Sequence, residues 1–328
     1  HLGRFAQRIW PANRRVTDPR PVVLALVVVL ILVASVVAHL RQGYLPFGGR
    51  FFLVPESEQV AAIDALVEQV PPEASLSTDR HPAPKLSHRE DLFLYPDQPE
   101  GEYQLIDVGY PDWTYHPRDR YEGIQSLLQE GQYGVRDGRY RHLLLEQGLD
   151  QTEIPDPFYD FARADNPSPQ YKMAVDFGDD LRLLGFDFFW ERPFYPRAYL
   201  VLYWQALRPI DRDLRPFTIR TDSTGELLPA TELEFVESVW YPPSRWEPSE
   251  VMRTETFHWY TNQQSGEFGV AIGAVEGPGI WDIDKRLRPE VRAAPWGTPL
   301  LHGDTLLWLG TVKIADQLAT FEPPGEMR

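Results

Sequence analysis

The chain has no cysteine, which excludes disulfide staples, thiolate metal centres and a cysteine nucleophile. A Gly-x-Ser-x-Gly elbow, a Gly-rich phosphate loop and a His-Glu-x-x-His metal helix are absent too. No motif therefore assigns a catalytic residue, and none calls for a cofactor or a metal. Positive charge is also scarce: 32 Lys and Arg stand against 48 Asp and Glu, a net −16. Residues 1–50 hold seven Arg and one Asp; subtracting these from the totals leaves 25 basic and 47 acidic residues beyond position 50, a net −22. Such a surface excludes nucleic acid as a partner and disfavours lying flat on an anionic bilayer.

What the sequence does have is one long apolar run. Residues 22–40, VVLALVVVLILVASVVAHL, are interrupted only by Ser35 and His39. At about 1.5 Å per residue the run just crosses a hydrocarbon core of about 30 Å. Arg4, Arg8, Arg14, Arg15 and Arg20 precede it against a single Asp18, whereas Arg41 and Arg50 after it are balanced by Glu56 and Glu58. The positive-inside rule puts the basic segment 1–21 in the cytoplasm and everything after residue 40 outside the cell membrane. Val36-Val37-Ala38 offers a cleavage site for a signal peptide, but the run exceeds the usual length of about 7 to 15 apolar residues. Anchoring is the favoured expectation.

Residues 56–150 read as a small α/β domain. Ser57 is placed to cap a helix carrying Val60, Ile63, Leu66, Val67 and Val70, which Pro71-Pro72 end. Strands are expected at 74–78, 92–95 and 103–108, a helix near 121–130, and then a hairpin turning at Asp137-Gly138. The phrases "VPPEASLSTDRHPAPKLSHREDLFLYPD", "YQLIDVG" and "IQSLLQEGQYGVRDG" resemble the C-terminal soluble part of an uncharacterised family of prokaryotic predicted multi-pass membrane proteins. The membrane portion of that family is similar to C-type, lipid-linked-sugar glycosyltransferases. The resemblance covers residues 22–150 and implies that the helix at 22–40 is the last of several, with further helices N-terminal to His1. The loops that carry acidic catalytic residues in such transferases have no counterpart here, so no catalytic residue carries over.

Residues 151–170, rich in Pro, Asp and aromatics, suit an extended linker. From 171 to 316 apolar residues alternate, as in Tyr199, Val201 and Tyr203 or Phe268, Val270 and Ile272, with turns at DSTG, QQSG and EGPG. This predicts an all-β antiparallel sandwich without helices, followed by a tail over 317–328. The smooth Gly269, Ala271, Gly273 face suits close packing, or else a shallow ligand platform. "LYWQALRPIDRDL", "YPPSRWEPSEVM" and "LLWLGTVKI" are similar to a jelly-roll-like β-sandwich appended to many prokaryotic membrane glycosyltransferases and likened to carbohydrate-binding modules. The fold class expected is thus α/β plus all-β behind one membrane helix.

Two sets of residues are candidates for ligand binding. In the α/β part, Asp79, His81, His88 and Asp107 belong to loops at strand ends, where pockets of open α/β sheets lie. In the sandwich, Tyr241, Trp246 and Trp259 offer rings for sugar stacking and Arg245 a hydrogen-bonding fork. The competing expectation makes "YPPSRWEPSE" a rigid corner, with Trp246 closing the core and Arg245 held by nearby acids. Paired acids at Asp179-Asp180, Asp211 and Asp213, and Asp282 and Asp284 are of the type that holds divalent ions, but suit solvated turns better. The leading functional expectation is a non-catalytic extracytoplasmic region of a membrane-embedded, glycosyltransferase-like protein, positioning glycan, lipid-linked sugar or a protein partner. The alternatives are a stand-alone membrane-anchored carbohydrate-binding module and a glycoside hydrolase.

Overall fold

A run as apolar as residues 22–40 satisfies its own backbone N–H and C=O groups in lipid only as a helix. In the computed structural model, which describes residues 20–43, 45–48, 57–109, 116–191, 196–228 and 233–325, it forms α1 (Arg20–Gln42). Residues 21–42, whose most apolar 18-residue stretch has a mean hydropathy of 3.1, are long and apolar enough to cross a membrane and are not buried against protein. Residues 56–328 form a separate compact unit.

That unit begins with α2 (Glu58–Val67), whose Ser57 hydroxyl accepts the Val60 N–H as the sequence predicts. It covers one face of a five-stranded sheet built from β1 (Leu76–Thr78), β2 (Leu92–Leu94), β3 (Tyr103–Asp107), β4 (Tyr133–Arg139) and β5 (His142–Gln147). The order is β2-β1-β3-β5-β4; β1 runs parallel to β2 and β3, and the remaining pairs are antiparallel. Successive strand residues face opposite sides. Leu105 and Leu144 therefore pack with Ile63 and Leu66 of α2, while Ile106, Leu143 and Leu145 pack with Ile124 and Leu128 of α3 (Pro117–Gln129).

The hairpin does not turn at Asp137-Gly138. Those residues lie inside β4 beside a register shift, and the chain reverses at Tyr140-Arg141, with φ of 39° and 65°. Gly138 is needed for close packing instead: a Cβ there would come within 3.2 Å of Leu143 and Phe158. The segment expected as a linker is also built into the core. Within it, Asp156–Ala162 forms a 3-10 helix that buries Phe158, Tyr159 and Phe161. Its prolines start a turn, and its aromatics supply the burial that an extended linker lacks.

Beyond it lie two six-stranded antiparallel sheets. One contains β6 (Tyr171–Phe177), β7 (Leu181–Glu191), β8 (Arg197–Ala206), β11 (Met252–Glu255), β12 (Trp259–Tyr260) and β14 (Pro289–Ala293). Its order is β11-β8-β7-β6-β14, with β12 also on β8. The other contains β9 (Leu214–Thr221), β10 (Leu233–Glu234), β13 (Gly266–Glu276), β15 (Leu300–Leu301), β16 (Leu306–Ala315) and β17 (Leu318–Glu322). Its order is β10-β9-β13-β16-β15, with β17 also on β16. A short helix the sequence pattern did not predict, α4 (Val236–Trp240), follows β10.

One apolar cluster joins all three sheets, including Ile106 and Leu143 of the first, Phe186 and Trp204 of the second, and Ile272 and Leu307 of the third. The Gly269–Gly273 stretch of β13 faces a second, smaller cluster that contains Phe217, Ala271 and Leu306, and it serves that packing rather than a platform. A Cβ on Gly273 would approach Phe217 and Leu306 to 2.7 and 2.8 Å, and one on Gly269 would meet Thr221 and Trp308.

Candidate functional site

Because β1 and β3 are parallel neighbours, their C-terminal ends emerge side by side and bring Asp79 and Asp107 together. The Asp107 N–H donates to Asp79 Oδ2 at 2.7 Å. Both carboxyl groups are buried, and each is met by an arginine from an element the strand pattern does not reveal. Arg120 of α3 reaches both Asp79 oxygens at 2.6 Å. Arg141, presented by the left-handed hairpin turn, lies 2.9 Å from Asp107, and the fully buried His142 stands 3.6 Å away. Burial works to raise the Asp107 carboxyl, but Arg141, His142 and Arg120 outweigh it and hold it well below the usual carboxylate range. For Asp79, burial dominates over Arg120 and pushes the carboxyl up. His81 sits at the exposed rim, where partial desolvation lowers its pKa despite the pull of Asp107.

From this cluster a polar seam continues to the edge of the second sheet. Arg141 also feels Glu255, at the end of β11. Glu255 accepts from Arg253 at 3.1 Å and pairs with His258 at 2.7 Å; His258 in turn lies 3.2 Å from Arg197, which holds Glu191. Burial works against the Glu255 charge, yet His258, Arg253 and Arg141 keep its pKa low. Its neighbour Glu237, on α4, behaves oppositely. One Glu237 oxygen accepts the Glu255 N–H at 3.2 Å, and burial plus the Glu255 charge push its pKa up to about 7. Two neighbouring carboxyls with pKa values driven apart are the electrostatic hallmark of an acid and base pair.

The corner at 241–250 resolves differently. Tyr241, Trp246 and Trp259 are all buried, at 5%, 3% and 8% exposure, so none presents a ring face to a sugar. The Trp246 indole donates to the Tyr241 carbonyl at 2.8 Å and closes the core; Trp259 packs edge-on against Phe268. Arg245 is exposed, and rings hold it where acids were expected. Its guanidinium lies 4.3 Å from the centre of Tyr159 and 4.7 Å from that of Tyr241, a cation–π arrangement.

The structure thus unites Asp79, Asp107 and His81, and leaves His88 exposed on the turn after a 3-10 helix at Ala83–Leu86. Its neighbour Arg89 donates to the carbonyls of Val70, Pro71 and Ala74 just beyond α2. Among the paired acids, Asp180 is held by Arg208 and Arg212, Asp213 by Arg215 and Asp282 by Lys285. Sequence reasoning missed Arg120, Arg141, His142, Glu237, Glu255 and His258. The available signal was Arg141-His142 heading the apolar LLL run, where charge has to be paired once buried. No family model, curated protein or solved structure matches this chain.

Proposed function

We propose that residues 56–328 act as the non-catalytic extracytoplasmic region of a membrane-embedded, glycosyltransferase-like protein, anchored by residues 22–40 and positioning glycan. In this reading the second and third sheets are the two layers of a jelly-roll-like sandwich, and the first sheet with α2 and α3 is an α/β layer docked on it. One observation carries the non-catalytic part. Among the described residues six acids are buried, and five of them, Asp79, Asp107, Asp176, Asp180 and Glu234, sit in ion pairs with arginine. A carboxylate whose oxygens are turned to a guanidinium is a poor nucleophile toward any substrate. The purified chain in detergent is therefore expected to leave lipid-linked sugars and glycosides unreacted while retaining glycans on an array. Turnover by the chain refutes the reading.

A second reading rests on the sixth acid. Glu237, its pKa raised beside ionised Glu255, has the split in pKa that the acid and base of a glycoside hydrolase use. Cleavage of p-nitrophenyl glycosides that disappears in Glu237→Gln would establish it.

A further inference from the structure

Away from the seam, a cavity of about 400 Å³ opens between α3, the start of β9, β10, α4 and the Pro242–Ser244 corner. Three guanidinium groups and three carboxylates line it, so it carries no net charge. Arg118, Arg212 and Arg215 face Asp211, Asp213 and Glu234. Four of these charges are locked to one another, while Arg212 is held by Asp180 and Glu276. Glu234 receives Arg118 at 2.8 Å on one oxygen and Arg215 at 2.6 Å on the other, and Arg215 is shared with Asp213 at 2.8 Å. Glu234 and Arg215 side chains are only 10% and 14% exposed, so the network is a built wall.

A wall of this kind selects by charge type. An anion has to displace Glu234 or Asp213 from arginines they already hold, and a cation meets three guanidinium groups. A neutral molecule with adjacent hydroxyls suffers neither penalty, because each hydroxyl donates to a carboxylate edge and accepts from a neighbouring guanidinium. Tyr121 and Val239 add apolar surface for the C–H face of a ring. The volume lies near the lower end of the usual range for small-ligand sites, about 300 to 1,000 Å³. We infer that this cavity binds a neutral pyranose, one or two rings in size, in the Arg118–Glu234–Arg215 network.

The inference rests on the glycan-positioning reading and names its site. Saturation-transfer NMR on the full chain in detergent, with methyl glucoside, mannoside, galactoside and N-acetylglucosaminide as probes, is expected to show binding of at least one. Ser244→Trp, which fills the cavity from its exposed rim without touching an ion pair, is expected to weaken that binding by about tenfold or more with melting unchanged. Glu234→Gln is expected to weaken it too. Added 0.5 M NaCl is expected to leave it within about twofold, because the ligand is neutral. Binding of inorganic phosphate in preference, or no binding of any pyranoside, overturns the inference. Pyranoside binding that survives Ser244→Trp overturns the site while leaving the glycan reading intact; hydrolysis of the probes overturns that reading instead.

Discussion

Replacing Glu237 by Gln removes the buried acid that has no arginine of its own, and the consequence for stability depends on pH in a defined direction. The group titrates at 4.5 when unperturbed and near 7 in the folded chain. Between those values the folded state keeps a proton that the unfolded state has released. The stability from this group is fully present below about pH 4.5 and is lost as pH rises through 7. The separation corresponds to about 3 kcal/mol in full, of which about 2.5 kcal/mol falls between pH 5 and pH 8. Gln keeps an oxygen for the Glu255 N–H but carries no titration. The folded state of Glu237→Gln is therefore expected to gain about 2.5 kcal/mol over the parent on going from pH 5 to pH 8. Urea unfolding of both proteins in detergent, followed by tryptophan fluorescence at the two pH values, measures this. His81, whose lowered pKa leaves the unfolded state holding the extra proton, imposes a slope of the opposite sign, but it is common to both proteins and cancels in the difference. A variant whose stability relative to the parent is the same at both pH values, or falls as pH rises, refutes the assigned environment.

Phe158→Ala tests whether the 156–162 segment belongs to the core. A completely buried ring in contact with Tyr159 and Trp240 is expected to cost about 3 to 5 kcal/mol in the same unfolding assay; a loss below about 0.5 kcal/mol would return the segment to a linker. The absence of native cysteine makes topology directly readable. Ser223→Cys, on an exposed turn after β9, is expected to react with a membrane-impermeant maleimide on intact cells, and labelling only after lysis would reverse the orientation.

Local chemistry was legible where one element decides it. The Ser57 cap, the amphipathic α2, and strands over Leu92–Leu94 and Tyr103–Asp107 follow from capping and periodicity alone. So does the meeting of Asp79 with Asp107, since both end strands of an α/β pattern. The hairpin turn was not legible, because Asp137-Gly138 carries the commoner turn signature while Tyr140-Arg141 takes φ > 0 at some cost. What decides between them is the packing of Gly138 on Phe158, a residue twenty positions away. The seam was hidden for a similar reason. Glu255 comes within electrostatic reach of Arg141 from β11, which is held in place by its pairing with β8, and no pattern within either segment encodes that meeting.

The placement of Phe158 also constrains how the protein is made. Ile106, Ile124 and Leu143 share a cluster with Trp240, Trp246 and Leu307, so α3 alone covers that face of the first sheet incompletely until residues beyond 240 arrive. That face is therefore finished only after most of the chain has been made. Folding of this molecule thus closes from its C-terminal half back onto its N-terminal sheet, and the core is complete only when both ends of the unit have met.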